Sequence, residues 1–81
     1  MEVHHGTSIV DILVHVDESF SPEYMAKLGD SVRGDECVVS ASVSLRGPRL
    51  ICVTYNPACT TSAKIVQRIT SQGVRAEAIG L

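Results

Sequence analysis

The sequence predicts an α+β sandwich, a four-stranded antiparallel sheet with two helices on one face, in the order strand, helix, strand, strand, helix, strand. Three observations carry this. Apolar residues alternate with period two in several short runs, beginning with Val10, Ile12, Val14 and Val16. Two stretches instead repeat at helical spacing, each with a start and a stop residue. Between the second and third alternating runs stands Arg46-Gly47-Pro48-Arg49, a turn that folds the chain straight back.

Met1 to Thr7 has paired histidines, His4 and His5, and no periodicity, so residues 1–7 read as a flexible tail before a domain of residues 8–81. The first strand is expected near 8–16, with Asp11, Leu13 and His15 opposite the valine face. Ser21-Pro22-Glu23 then reads as a helix start. The hydroxyl caps free amides, proline presets φ, and the acid suits the positive end of the dipole. Tyr24 or Met25, Leu28 and Val32 continue the stripe to a stop at Gly34, predicting a helix near 22–33.

Cys37, Val39, Ala41, Val43 and Leu45 alternate with serine-rich positions, predicting a strand near 36–45, and Leu50 to Asn56 supplies the third strand. Opposed residues share a face, so odd-numbered core positions imply pairs such as Val43 with Val53 and Leu45 with Ile51. The same register sets Cys37 opposite Cys59, if pairing persists past Pro57. Thr60 or Thr61 can cap a helix near 61–72 with Ile65, Val66 and Ile69 inward, closed by Gly73. The last strand runs near 74–79, with Val74, Ala76 and Ala78 on one face.

Two strand-helix-strand units joined by a hairpin make the split βαβ arrangement called ferredoxin-like. Both helices cover one sheet face. The other, with Asp11, Leu13, His15, Ser40, Ser42, Cys52, Thr54, Arg75 and Glu77, is left open to solvent or to a partner.

Eighty-one residues allow one domain, and nine acids against seven bases give a net charge of -2. That balance offers no footprint for nucleic acid or an anionic membrane. Ile9 to Val16 is too short and too polar to cross a bilayer, and no lysine or arginine precedes it as in a secretory leader. Three cysteines, an odd number without repeat spacing, argue against a disulfide framework. Reduced thiols and a cytoplasmic location are the expectation.

The segment Val53-Thr54-Tyr55-Asn56-Pro57, followed by Thr61, Ile65, Ile69, Gly73 and Ala76, resembles the second half of heavy-metal-associated domains, small carriers of copper, mercury or zinc. The likeness extends through Val14 to Val32 and so covers nearly all of the chain after the tail. In that family a G-M-x-C-x-x-C loop after the first strand presents two thiolates, soft ligands that grip Cu(I) nearly linearly. The resemblance sets Ser21 and Tyr24 at those two positions. A hydroxyl and a phenol are poor ligands for soft metals, so the metal function does not transfer to this loop.

Other ligand candidates are His4, His5, His15, Cys37, Cys52 and Cys59. Beside each stands a plainer account: a polar tail, a surface histidine, small half-buried thiols. Asp17, Glu18 and Glu23 gather acids at the first helix, where dipole compensation explains them better than a calcium site needing six to eight oxygens. No nucleophile-base-orienter set and no phosphate loop is legible, so the chain reads as a non-enzyme with no cofactor. An acylphosphatase shares the strand order but needs an arginine in the first loop, and His15 to Pro22 has none. A small-molecule sensor of the ACT type wants glycines where Asp17-Glu18-Ser19-Phe20 stands.

The leading expectation is a protein-interaction module that has lost its thiol pair. It would meet a protein partner or a second copy through an edge strand or the open face around Leu13, His15, Cys52 and Thr54. The alternative is metal binding through histidine or cysteine ligands outside the usual loop.

Overall fold

Alternation and helical spacing produce the expected order of elements: β1 (Val10–Val16), α1 (Pro22–Arg33), β2 (Val38–Val43), β3 (Leu50–Tyr55), α2 (Ser62–Thr70) and β4 (Ala76–Ile79). They belong to a computed structural model that describes residues 8–79. The N-terminal tail, with His4 and His5, and the last two residues lie outside the described residues. One antiparallel sheet has the order β2-β3-β1-β4, so β1 and β3 are central and β2 and β4 are edges. This is the ferredoxin-like arrangement.

The core lies between the sheet and the helices. Val14 and Val16 of β1 and Ile51, Val53 and Tyr55 of β3 meet Met25, Leu28 and Val32 of α1 and Ile65 and Ile69 of α2. Most of these side chains are wholly buried, and burial of this kind is the main favourable term for a small domain. Helix starts follow the sequence closely. Ser21 and Thr61 cap α1 and α2, each side-chain oxygen accepting from the amide three residues on. Gly73, at φ +86°, gives the chain after α2 a left-handed turn that other residues adopt at a cost. Gly34 ends α1 in an ordinary right-handed conformation, so its role there is not the left-handed cap expected of a glycine.

A cation from each helix fastens it. Arg33 donates to the carbonyl of Ala41 at 2.5 Å and pairs with Asp30 on its own helix. Arg68 of α2 donates to the carbonyl of Ser31 at 2.9 Å, tying the end of α1 to its neighbour.

The β2–β3 register differs from the sequence expectation. Val43 faces Ile51 and Ala41 faces Val53, two residues away from the expected pairs. A bulge between Val38 and Ser40 then shifts the ladder again, so that Val38 opposes Tyr55. The extra residue is Val39, which is 60% exposed rather than inward. Leu45 lies past the end of β2 in the turn and is fully exposed, so it has no partner in Ile51. The physical reason is the turn. Ser44 donates to the carbonyl of Leu50 at 2.7 Å and closes a longer connection than a tight hairpin, which moves every pair along.

Cys37 and Cys59 meet all the same, by a different route. Cys37 precedes β2, and its carbonyl accepts from Asn56, not from a residue opposite Cys59. Beyond Pro57 the chain turns back, with Cys59 and Thr60 both donating to the carbonyl of Asn56. This turn carries Cys59 over Cys37, and the two form a disulfide with Cα atoms 5.5 Å apart. The expectation of reduced thiols is corrected: Cys52 is the one free cysteine among the described residues.

Candidate functional site

The loop between β1 and α1 is held at both ends. The amide of Val16 donates to Arg49 and that of Asp17 to Arg75, each at 2.9 Å, so the loop leaves the sheet from a fixed point between β3 and β4. At its far end Ser21 has extended backbone, and its Oγ accepts from the amide of Tyr24 at 3.1 Å. The carbonyl of Ser21 accepts from Met25 at 3.0 Å. Pro22 fills the first helical position, where a missing amide costs nothing. Tyr24 is half-buried, its ring 4.5 Å from that of Phe20 and tilted by 49°, and both rings pack against the core.

The positions that resemble the family's thiol pair therefore hold a helix cap and an aromatic contact. Each is an ordinary structural role, and neither atom set is arranged around a point where a soft ion could sit.

The sheet face away from the helices has more chemistry. Leu13 lies at its middle, opposite Cys52 on one side and Ile79 on the other. It is only 7% exposed, although the sequence placed it on an open face. Around this apolar centre stand polar residues. Thr54 donates to Asp11 at 2.6 Å across the β1–β3 pair. His15 faces Leu50 on β3 and Glu77 on β4. Cys52 is thus diagonal to His15 and not opposite it, and the two do not share a ligand group among the described residues.

What His15 does meet is acidic. Its Nδ1 is 3.1 Å from Asp17 Oδ1, and one ligating atom from each of His15, Asp17 and Glu77 lies within 4.8 Å of the other two. His15 is half-buried and both acids are exposed. Sequence reading had His15 and Glu77 on one face but grouped Asp17 with Glu18 and Glu23. The missing information was the β1–β4 register, which alone sets His15 beside Glu77.

No protein-family model matches the chain, and no curated protein matches it. Among solved structures, a copper-binding domain from HMA7, a P-type ATPase, is 21% identical, with a TM-score of 0.76 over 86% of this chain and 93% of that one. The oxidised form of MerP from Ralstonia metallidurans CH34 is 15% identical, with a TM-score of 0.76 over 88% of this chain and 97% of that one. A protein from Bacillus anthracis str. Ames named as the "putative copper-ion-binding protein" is 20% identical, with a TM-score of 0.75 over 86% of this chain and 97% of that one. At these identities the likeness is one of fold, and over nearly its whole described length the chain has the fold of heavy-metal-associated domains.

Proposed function

We propose that the chain is a non-enzymatic interaction module of the heavy-metal-associated type whose metal loop has been turned to folding. The observation that carries this reading is the employment of Ser21 and Tyr24. The first is spent on the amide of Tyr24 and the second on Phe20 and the core, which leaves no soft ligand in the loop. What remains available is the sheet face, with the half-buried Cys52 and the exposed Ile79 flanking the buried Leu13, and Asp11, Asp17 and Glu77 around them.

The charge of that rim selects the partner. A second copy joining through the same face would be isologous and would bring acids onto acids. A protein with an apolar centre and a basic rim suits the face better than self-association does. Edge pairing is a weaker route, since β2 is bulged at Val39 and β4 has only four residues. We place neither nucleic acid nor membrane insertion among its roles, and no helix of the described residues is long and apolar enough to cross a membrane.

Cys52 provides the test, because it is the free thiol of the described residues and lies in the face itself. A benzophenone maleimide attached there, and photolysed in extract of the source cells, should give a discrete protein adduct competed away by unlabelled protein. The same label on a Cys52→Ser, Lys27→Cys variant, on the exposed helix side, should not give it. Once the adduct is identified and purified, Asp11→Lys should weaken its binding. Equal labelling from both positions, or an adduct that unlabelled protein does not compete, would remove the sheet face from the proposal.

The cytoplasm is the proposed compartment, and the Cys37–Cys59 bridge makes it testable, because such bridges persist in secreted and periplasmic proteins and are rare in the cytosol. Alkylating thiols in intact cells should modify Cys52 and leave the bridged Cys37 and Cys59 untouched, and fractionation should return the protein with the cytosol. Recovery outside the cytosolic fraction would move the protein to an oxidising compartment.

A further inference from the structure

We propose that His15, Asp17 and Glu77 form a binding site for a borderline divalent cation of the Zn²⁺ type, on the open sheet face and separate from the β1–α1 loop positions Ser21 and Tyr24. This goes beyond the interaction role and does not depend on it.

The backbone fixes the three residues independently of any ion. His15 and Glu77 are directly opposed in the β1–β4 ladder, which sets their Cβ atoms about 5 Å apart on one face. Asp17 is two residues beyond His15, and its amide is tied to the carbonyl of Arg75 at 2.9 Å, so it cannot drift from β4. Sites carried on paired strands are held better than sites on free loops.

The distances suit a small cation. Two ligands each about 2.0–2.1 Å from a tetrahedral Zn²⁺ are roughly 3.3 Å apart. The His15–Asp17 pair already stands at 3.1 Å, and the ligand atoms of the whole set lie within 4.8 Å of one another, so a rotation of the exposed Glu77 side chain completes the approach.

Charge supplies the second, independent argument. Two carboxylates this close repel one another, and carboxylates so placed normally have a cationic partner or share a proton. Among the described residues neither Asp17 nor Glu77 has a lysine or arginine within ion-pair distance; the ion pairs of those two cations' kind go to Asp30 and Asp35 instead. The one side chain paired with either acid is the His15 imidazole, against Asp17, and Glu77 has no ion-pair partner among the described residues. A divalent ion would balance both charges at once.

The donor set chooses the ion. One imidazole nitrogen with two carboxylate oxygens is a borderline set, suited to Zn²⁺, Co²⁺ or Ni²⁺ and to Cu²⁺ by the general affinity order. It has no sulfur for Cu(I) and too few oxygens for Ca²⁺. Three protein ligands leave a fourth position open to water or to a group from a partner.

Zn²⁺ titration of the full chain by calorimetry tests the site, in a His4→Asn, His5→Asn, Cys52→Ser background that removes the other histidines and the free thiol. The background should bind one equivalent, as the unmodified protein does. His15→Asn and Glu77→Gln, both surface changes that leave the core untouched, should each weaken binding by about tenfold or more. Amide resonances of His15, Val16, Ala76 and Glu77 should move on adding Zn²⁺, and those of α2 should not. Loss of binding in the background alone would assign the ion to the tail or to Cys52. That result, unchanged affinity in His15→Asn, or the absence of saturable binding would each overturn the site.

Discussion

Replacing Ile69 with alanine should lower the unfolding free energy by about 2–5 kcal/mol, read from the urea midpoint at unchanged slope. Ile69 is wholly buried, and with Ile65 it makes up the fully buried part of a nine-residue helix. An isolated helix of that length is not stable in water, so α2 exists because these two side chains hold it to the sheet. Truncation removes the transfer energy of three carbons and leaves a cavity that the other members of the core cluster cannot fill without moving the sheet. A domain of this size has only about 5–15 kcal/mol in all, so the loss is a large share of it. A change below about 1 kcal/mol would mean that Ile69 is not where the core places it.

The fold was legible because its main devices are local. Ser21-Pro22 and Thr61 announce helix starts whatever else the chain does, and the valines of β1 declare which face is inward. The β2–β3 register was not legible in the same way. Ser44, Arg46, Gly47 and Pro48 mark a turn, but where the ladder closes depends on the bond from Ser44 to Leu50, and that bond moved each pair by two residues. Val39 shows the limit of alternation: one inserted residue sends an apolar side chain outward although its neighbours keep their faces. Cys37 and Cys59 are instructive because the expected juxtaposition holds although the expected register does not. The turn after Pro57, and not the ladder, brings them together.

The site divides along the same line. That Ser21 and Tyr24 occupy the loop could be read directly, and the cap made by Ser21 follows from its place before Pro22. The contact between Tyr24 and Phe20 could not, since helical spacing allowed either Tyr24 or Met25 inward. The meeting of His15, Asp17 and Glu77 is a long-range fact. Sixty-odd residues separate the first two from the third along the chain, and only the β1–β4 pairing closes that distance.

On the proposed reading, a chain with the fold of heavy-metal-associated domains would lack a soft-metal site in its first loop because of the side chains at Ser21 and Tyr24, not because the backbone differs. Two thiolates at a helix start would combine soft sulfur with the positive end of the dipole, which lowers the thiol pKa and makes the anionic ligand available near neutral pH. The backbone for this is present: Ser21 stands at the cap of α1 and Tyr24 at its third position, three residues apart on adjoining faces of the first turn. Substituting cysteine at both should therefore restore Cu(I) binding, at the cost of the cap and the Phe20 contact, which circular dichroism would register as a lower melting temperature without loss of the fold. The most direct measurement is competition for Cu(I) against a strong chromogenic chelator under ascorbate, in a Cys52→Ser background with the Cys37–Cys59 bridge intact. The account predicts that the native loop yields its copper to the chelator while Ser21→Cys with Tyr24→Cys retains one equivalent. Retention of one equivalent by the native loop, or failure of the folded double variant to retain any, would contradict it.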